Sequence, residues 1–384
     1  RHHAGACDDA GAGPDDHHTA SCYYFNDFDS DFDADHDAGD HDDHGCRRQR
    51  DRRRRLNSRR RSTSVTYVSD IAGPASHYNE FGLFHENIAE FGLNVAIPTV
   101  VRGHVELDDG RSVSALSWGE PGAAEVVFVH GGAQNAHTWD TVALALGRPA
   151  LAVDLPGHGH SSWRSDGAYS PANLADDVAV AIRQHAPDAR LVVGMSLGGL
   201  TSMLLATRHP ELVQSLVMVD ITPGVNQKKA KAIIDFVNGP QSFAGFDDLL
   251  ARTVEFNPTR SESSLRRGIL HNAHPVADGS WQWNYDRTNR LEASDSIDGG
   301  SSGMPESDVI SDEAHNPLWD DFASMACKLT LVRGSLSPVV DDTDVAEAKR
   351  LQPAMVVHLV DGAGHSVQGD RPVELAAIIT SELS

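Results

Sequence analysis

The sequence predicts an α/β fold: an eight-stranded, mostly parallel sheet with helices on both faces, and a helical lid inserted after the sixth strand. From about residue 99 onward, short runs of β-branched residues alternate with helical patterns. Strands that alternate with helices are typical of a parallel sheet covered on both faces. Between residues 221 and 322 this alternation stops, and a helical sequence rich in aromatic residues predicts the inserted lid.

The predicted strands begin with a hairpin. Val100–Leu107 and Ser112–Trp118 are joined by an Asp-Asp-Gly turn, which favours an antiparallel pair. The clearest helical patterns are Asn173–His185 and the closing stretch Pro372–Leu383. The other six strands are predicted at Val126–His130, Ala150–Val153, Leu191–Val193, Leu212–Val219, Leu329–Arg333 and Val356–Val360.

The chain is predicted to have four parts. The first is rich in Asp and His and then in Arg, a composition that buries too little apolar surface to fold, so we expect it to be disordered. A loose metal-binding or nucleic-acid-binding role for this part is the alternative. The predicted parts are a tail at 1–64, an N-terminal extension at 65–98, a core at 99–220 and 323–384, and the lid at 221–322 with a mobile loop at about 291–308.

Composition narrows the possible partners. The formal net charge is −23, and a surface of that sign repels phosphate backbones and anionic lipid headgroups. Only Cys327 of the four cysteines lies in the region predicted to fold, so no disulfide framework is expected. No apolar run approaches the roughly 20 residues that span a bilayer, and no signal peptide is indicated. We therefore expect a cytoplasmic protein that binds neither nucleic acid nor membrane and acts on a small-molecule substrate, while the oligomeric state is not indicated.

The segment Gly194-Met195-Ser196-Leu197-Gly198 fits the pattern G-x-S-x-G. It follows a predicted strand and precedes an apolar helical pattern, which is the context of a nucleophile held on a sharp turn. Small residues two positions away on either side are needed because the backbones crowd there. We therefore predict that Ser196 is a catalytic nucleophile.

A serine nucleophile needs a general base, and the base is expected late in the chain. His365 follows the last predicted strand in the glycine-rich segment Asp361-Gly-Ala-Gly-His365. The carboxylate that orients this histidine is expected after the seventh strand, but Ser and Pro stand there. Asp220, at the end of the sixth strand, is our predicted acid, with Asp341 or Asp342 as the alternative.

Backbone N–H groups near the serine would stabilise an oxyanion. His130-Gly131-Gly132 follows the third strand, so we assign this role to Gly132 together with Leu197. An aromatic lid favours an apolar or aromatic substrate. The candidate substrate contacts are Trp139, Met195, Trp281 and Trp283. This chemistry requires neither a metal nor an organic cofactor, and none is predicted.

Together the motifs resemble one family. VFVHGG, AVDLPGHGHSS, GMSLGG and DGAGHSV have the order and spacing found in α/β-hydrolase fold proteins, from about Thr99 to the end. Within that family the chain is similar to serine esterases and carbon–carbon bond hydrolases, and VDITPG resembles small esterases that carry their acid there. Met195 stands where a His is often found. Epoxide hydrolases and haloalkane dehalogenases of this fold use an Asp nucleophile, so Ser196 argues against both.

The resemblance implies a serine hydrolase, above all a carboxylic ester hydrolase that forms an acyl-serine intermediate. Two other activities stay open within it: hydrolysis of carbon–carbon bonds in ring-cleavage products, and a cofactor-free, haloperoxidase-like perhydrolase reaction. A binding protein that keeps the fold without turnover is the alternative of another class.

Overall fold

The computed structural model describes residues 78–287 and 316–384, and all structural statements below concern those residues. The predicted tail at 1–64 and the predicted loop at 291–308 lie outside them. The described part of the predicted extension begins at Tyr78.

The strands match the predicted ones closely, with a few additions. In chain order they are β1 (Val100–Glu106), β2 (Ser112–Trp118), β3 (Val126–Val129), β4 (Ala150–Val153), β5 (Leu191–Met195), β6 (Ser215–Val219), β7 (Ser242–Phe243), β8 (Ala273–Pro275), β9 (Trp281–Trp283), β10 (Lys328–Gly334) and β11 (Val356–Val360).

The main sheet has eight strands in the order β1-β2-β4-β3-β5-β6-β10-β11. β1 and β2 pair antiparallel, as the predicted hairpin requires, and β2 also pairs antiparallel with β4. The other pairings are parallel. The predicted mixed, mostly parallel sheet is therefore confirmed, and the carboxyl ends of β3, β5, β6, β10 and β11 meet at one edge.

The helices surround this sheet. They are α1 (Phe84–Phe91), α2 (Asp140–Leu146), α3 (Pro171–His185), α4 (Leu197–Arg208), α5 (Gln227–Val237), α6 (Phe246–Phe256), α7 (Glu262–Asn272), α8 (Leu318–Ser324), α9 (Asp342–Leu351), α10 (Val367–Asp370) and α11 (Pro372–Glu382), with short 3₁₀ turns at Ala136–Trp139 and Pro210–Leu212.

Local sequence explains where the helices begin. The Ser170 side chain accepts a hydrogen bond from the Asn173 N–H at the start of α3, and Pro171 occupies the first turn. Asp341 and Asp344 form a reciprocal capping box at the start of α9. Both devices satisfy backbone donors that lack a partner within the helix.

Two predictions about elements are wrong. The sixth strand begins at Ser215, because Pro210–Leu212 forms a 3₁₀ turn and not the start of the strand. The segment after β6 is not wholly helical: α5, α6 and α7 are accompanied by a small antiparallel sheet in the order β7-β9-β8.

Buried apolar residues form a layer on each face of the main sheet. One layer packs α3, α4, α8 and α9 against it, and the other packs α1, α2 and α11. A third, smaller cluster lies within the segment inserted after β6. None of the described helices combines the length and the apolar character needed to cross a bilayer.

Candidate active site

Ser196 lies on the sharp turn between β5 and α4. Its φ of 51° and ψ of −121° place it in a backbone conformation that is costly for a residue with a side chain. The crowding that this turn imposes is measurable. A Cβ at Gly194 would lie 2.4 Å from the Gly198 carbonyl oxygen, and one at Gly198 would lie 2.3 Å from the Val129 carbonyl oxygen. Only glycine fits at these two positions, so the sequence pattern reflects the geometry of the turn.

Asp220 and His365 are brought together at the same edge of the sheet. Asp220 follows β6, is completely buried and accepts a hydrogen bond from the His365 Nδ1 at 2.8 Å. The other carboxylate oxygen accepts the Gly334 N–H at 2.9 Å. The Ser337 hydroxyl donates to the oxygen that His365 contacts. Three donors, from the end of β10 and from the turns after β10 and β11, thus hold this carboxylate.

The imidazole of His365 keeps its other nitrogen available. Nε2 is buried and has no hydrogen-bond partner among the described residues. It therefore makes no hydrogen bond to the Ser196 hydroxyl in this structure. The Ser196 N–H donates to the Val219 carbonyl at 3.3 Å, so the serine lies beside the residue that precedes Asp220. Catalytic hydrogen bonds are often long in the absence of substrate and tighten in the reacting complex.

The alternative acids lie elsewhere. Asp341 caps α9 and forms an ion pair with the Lys229 Nζ at 3.0 Å. The Asp342 side chain is almost fully exposed and pairs with Arg333 at 2.7 Å. Neither carboxylate contacts His365, so the structure places only Asp220 of the three beside the histidine.

The turn after β3 lies against the serine. A Cβ at Gly131 would be 3.2 Å from the Ser196 Cβ, and one at Gly132 would be 3.9 Å from a Leu197 methyl carbon. No hydrogen bond of the Gly132 N–H is recorded within the described chain. The Leu197 N–H belongs to the first turn of α4, where backbone donors lack a partner within the helix. Both predicted oxyanion donors therefore lie near the serine.

Ala133 fixes the shape of this turn. Its φ of 58° is unusual for a residue other than glycine. Its N–H donates to the His158 Nε2 at 3.0 Å, and its carbonyl accepts from the Asn272 Nδ2 at 2.7 Å. Burial lowers the pKa of His158, so its ring is neutral at pH 7 and can accept that hydrogen bond. His158 belongs to the AVDLPGHGHSS motif, but the sequence alone gave it no role.

A cavity of about 110 Å³ opens beside the site. The turn after β3, residues 131–134, is called the oxyanion turn below and contributes Ala133 and Gln134 to the lining. Ser366, the residue after His365, also lines the cavity. The segment inserted after β6 contributes Phe236, Ile269 and Trp283, among others. The cavity therefore touches residues adjacent to Gly132 and to His365, and its other side combines apolar side chains with the polar Asn257, Arg260 and Asn272.

The four predicted substrate contacts have different positions. Trp283 lines the cavity, whereas Trp281 packs edge-on against Phe246 at 5.0 Å and is not among the lining residues. Assigning Trp139 to substrate is wrong, because its ring is completely buried and stacks on Phe128 at 4.9 Å.

Met195 is also placed differently from the prediction. It is 1% exposed, and its sulfur would be 2.5 Å from a Cβ at Gly131. It does not line the cavity. Met195 therefore packs beneath the oxyanion turn and supports it, in place of the predicted contact with substrate.

Asp370 joins the inserted segment to the histidine turn. One of its carboxylate oxygens accepts the Gly364 N–H at 2.8 Å and the Thr259 hydroxyl at 2.7 Å. The other accepts from the Arg260 Nε at 3.3 Å. The position of His365 is thus tied to the loop between α6 and α7, a connection for which the sequence carries no motif.

A buried charged cluster lies behind the oxyanion turn. Arg102 on β1 forms ion pairs of 2.5 Å with both Asp154 and Glu80. Burial alone would raise the pKa of Glu80, but hydrogen bonds from His137 and Arg102 outweigh it and lower the pKa to about 2. Burial alone would lower the pKa of His137, but Asp140 and Glu80 raise it to about 9. Sequence analysis missed this cluster because its members are far apart in the chain.

Comparison with known proteins agrees with this architecture. A family model described as alpha/beta hydrolase fold matches residues 125–372. The chain is 42% identical over 312 residues to the esterase Rv0045c of Mycobacterium tuberculosis, which covers 79% of this chain and 96% of that protein. It is 28% identical over 260 residues to 2-(acetamidomethylene)succinate hydrolase of Mesorhizobium japonicum, covering 66% of this chain and 86% of that protein.

Solved structures give the same result. The chain resembles the M. tuberculosis esterase Rv0045c in a structure that describes its transition metal inhibition and structural refinement, with a TM-score of 0.66, 41% identity, and coverage of 80% of this chain and 99% of that one. The turn that holds Ser196, the eight-stranded sheet and the match over most of the core have one explanation: the chain belongs to the α/β-hydrolase fold family.

Proposed function

We propose that this protein is a serine hydrolase that cleaves carboxylic esters of small, largely apolar or aromatic molecules. The observation that carries the proposal is the pairing of His365 with the buried Asp220, at the edge of the sheet where the turn presents Ser196. The 42% identity to an esterase, over nearly the whole of that protein, supports ester hydrolysis as the reaction.

Each group has a role in the proposed reaction. Asp220 accepts the Nδ1–H of His365, which fixes the tautomer and leaves Nε2 to take the proton of the Ser196 hydroxyl. The serine oxygen then attacks the ester carbonyl, and the N–H groups of Gly132 and Leu197 stabilise the negative oxygen that forms. His365 returns its proton to the departing alkoxide, leaving an acyl-serine. Water activated by the same histidine hydrolyses this intermediate and regenerates the serine.

The cavity supports a small substrate. Its volume of about 110 Å³ suits a short acyl or alcohol group, and its wall includes Phe236, Ile269 and Trp283. The inserted segment at 221–322 supplies these residues and is joined to the His365 turn through Asp370. We propose that this segment acts as a lid over the site. A cytoplasmic location stays a prediction.

An active-site probe tests the proposal. A fluorophosphonate should label the protein at Ser196, and Ser196→Ala should abolish both labelling and ester turnover. His365→Ala should lower turnover on the order of a million-fold, because members of a triad act as a unit. A folded protein that neither reacts with the probe nor hydrolyses any ester in a panel of chain lengths would point to a binding protein of the same fold.

A further inference from the structure

Three buried residues outside the triad have the composition of a metal site. His137, in the 3₁₀ turn after the oxyanion turn, faces Asp140 at the start of α2 and His271 near the end of α7. One ligand atom from each residue can be chosen so that all three lie within 4.8 Å of one another, and all three residues are buried. A tetrahedral zinc ion holds neighbouring ligand atoms about 3.4 Å apart. The cluster is therefore close to the required spacing.

One nitrogen of this cluster has no partner. The His271 Nε2 is buried, has no hydrogen bond within the described residues and lies 3.7 Å from an Asp140 carboxylate oxygen. The His271 side chain is only 3% exposed. An orphaned imidazole nitrogen directed at a buried carboxylate is costly unless a ligand completes it.

The outer nitrogen of each histidine is already held by oxygen. The Tyr78 hydroxyl lies 2.6 Å from the His271 Nδ1, and the Glu80 carboxylate lies 3.1 Å from the His137 Nε2. Histidines that bind metals almost always use the second ring nitrogen in this way, because the contact fixes the tautomer and the direction of the ring. Both rings thus have outer partners from the N-terminal extension, and their inner nitrogens face Asp140.

We propose that His137, Asp140 and His271 form a binding site for a divalent transition-metal ion such as Zn²⁺. Two imidazoles and a carboxylate are ligands that suit Zn²⁺, and three protein ligands leave one position for water. His137 also lines the cavity beside the active site, which gives an ion a route to the cluster. The two rings now stack in parallel at 3.9 Å, and the His137 Nδ1 lies 3.0 Å from Asp140. Binding therefore requires the rings to rotate and the ion to displace the proton between His137 and Asp140. The site is independent of the proposed ester hydrolysis.

An ion there would join two parts of the molecule. His137 belongs to the turn that continues from the oxyanion residues, and His271 belongs to α7 of the inserted segment. Asn135 already links the two, because its Nδ2 donates to the His271 carbonyl at 2.9 Å. A ligand that binds only the folded state stabilises it by mass action.

Thermal unfolding of the full chain tests the proposal, after treatment with a chelator and its removal. Zn²⁺ at about a hundred times its dissociation constant should raise the Tm by about 5 to 10 °C. His271→Phe keeps an aromatic ring and Asp140→Asn keeps the size of the side chain, and both should abolish the rise. A chain that begins at residue 65 lacks the histidines before that position and should show the same rise.

Two matched variants keep the result specific. His104→Gln removes an exposed histidine on β1 and should leave the Zn²⁺-induced rise intact. His365→Ala removes another of the buried histidine nitrogens that lack a partner among the described residues, and it should also leave the rise intact. A rise that survives both site variants, that disappears only in His365→Ala, or that is absent from the unmodified chain would overturn the proposal. If the site variants do not fold, anomalous diffraction at the zinc edge must show a peak between the three side chains, and a peak elsewhere rejects the site.

Discussion

Asp220 combines complete burial, an unusual backbone angle and three hydrogen bonds to its carboxylate. It is buried, its φ is 51°, and hydrogen bonds reach it from Gly334, Ser337 and His365. Three hydrogen-bond donors offset the free-energy cost of burying a carboxylate, which is large for a carboxylate without partners. Ser337 stands in the turn after β10, where the acid was expected, and supplies a hydroxyl to the carboxylate that comes from β6.

Replacing this carboxylate should separate the three candidate acids. Asp220→Asn should lower turnover by about 10⁴-fold, because an amide favours the wrong tautomer of His365. Asp341→Asn and Asp342→Asn should change it less than about twofold, since Asn caps a helix as well as Asp and the Asp342 side chain is exposed. The measurement is kcat/KM on one ester for all three variants. A larger loss in either control than in Asp220→Asn would remove Asp220 from the site.

For individual residues, the sequence points to those that lie on short motifs and not to those whose partners are distant in the chain. Ser196 and His365 could be predicted as site residues because a tight turn and a glycine-rich loop leave local patterns in the sequence. Trp139 was misplaced because an aromatic residue near a motif does not reveal which side of the sheet it faces. Asp370 carries no local pattern, since two of its partners, Thr259 and Arg260, come from a loop more than a hundred residues earlier.

Among the secondary-structure elements, the turn from β5 to α4 requires glycine at Gly194, because there is no room for a side chain there. In Gly194→Ala the new Cβ would lie 2.4 Å from the Gly198 oxygen and 2.5 Å from the Ser202 hydroxyl. The free energy of unfolding should fall by about 1–3 kcal/mol, the usual cost of overpacking, and turnover should fall because α4 is displaced. Chemical denaturation and ester kinetics measure the two effects. Gly245→Ala is the matched control, because nothing lies within 4 Å of its Cβ position, and equal effects in both variants would contradict the explanation.

The small sheet in the inserted segment should set the length of the substrate. Trp283→Ala removes a cavity wall, so the preferred ester should become longer, measured as kcat/KM over a series of chain lengths. Trp281→Ala, two residues away on the same strand, should leave the preference unchanged because that ring packs on Phe246. A shift in the control alone would show that the cavity is not the acyl site.

Elements of the main sheet were predictable and those of the inserted segment were not. Buried parallel strands are continuous apolar runs, and seven of the eight predictions begin within one residue of the observed strand. The apolar stretch before β6 was mistaken for strand because Pro210 starts a 3₁₀ turn there. The strands β7, β8 and β9 have two or three residues each, which is too short for a period of two to appear in the sequence.

For the whole molecule, the described part of the N-terminal extension, from Tyr78 onward, packs as part of the folded unit. Phe84 is buried against Trp118 at 4.9 Å, and Glu90 pairs with Arg267 on α7 at 2.5 Å. A chain that begins at residue 65 should therefore unfold at the same temperature as the full chain. One that begins at residue 99 should lose more than about 3 kcal/mol, the cost of removing a buried phenylalanine. Equal stability of the two shortened chains would place the domain boundary after the extension.

Stability should depend on pH in two directions. His137 has a folded pKa of about 9 against 6.5, so its contribution is complete below pH 6.5 and is lost as the pH rises through 9. Burial lowers the pKa of His130 to about 3, so its contribution is present above pH 6.5 and is lost as the pH falls toward 3. Each arm should amount to on the order of 1 kcal/mol per pH unit.

Denaturation in chelator at pH 5, 6.5 and 9 measures this dependence. His137→Gln should flatten the alkaline arm and leave the acid arm, whereas His104→Gln, at an exposed position, should change neither. A stability that rises steadily from pH 6.5 to 9 in the unmodified chain would contradict the role assigned to His137.

The position of Asp220 also bears on how such sites change during evolution. The Ser337 hydroxyl and the His365 Nδ1 meet at the same oxygen of Asp220, although the two residues come from the turns after β10 and β11. A lineage that acquired an acid at position 337 would briefly carry two carboxylates near one imidazole. Either could then be lost without an inactive ancestor, so the acid can move between strands while the serine and the histidine stay where they are.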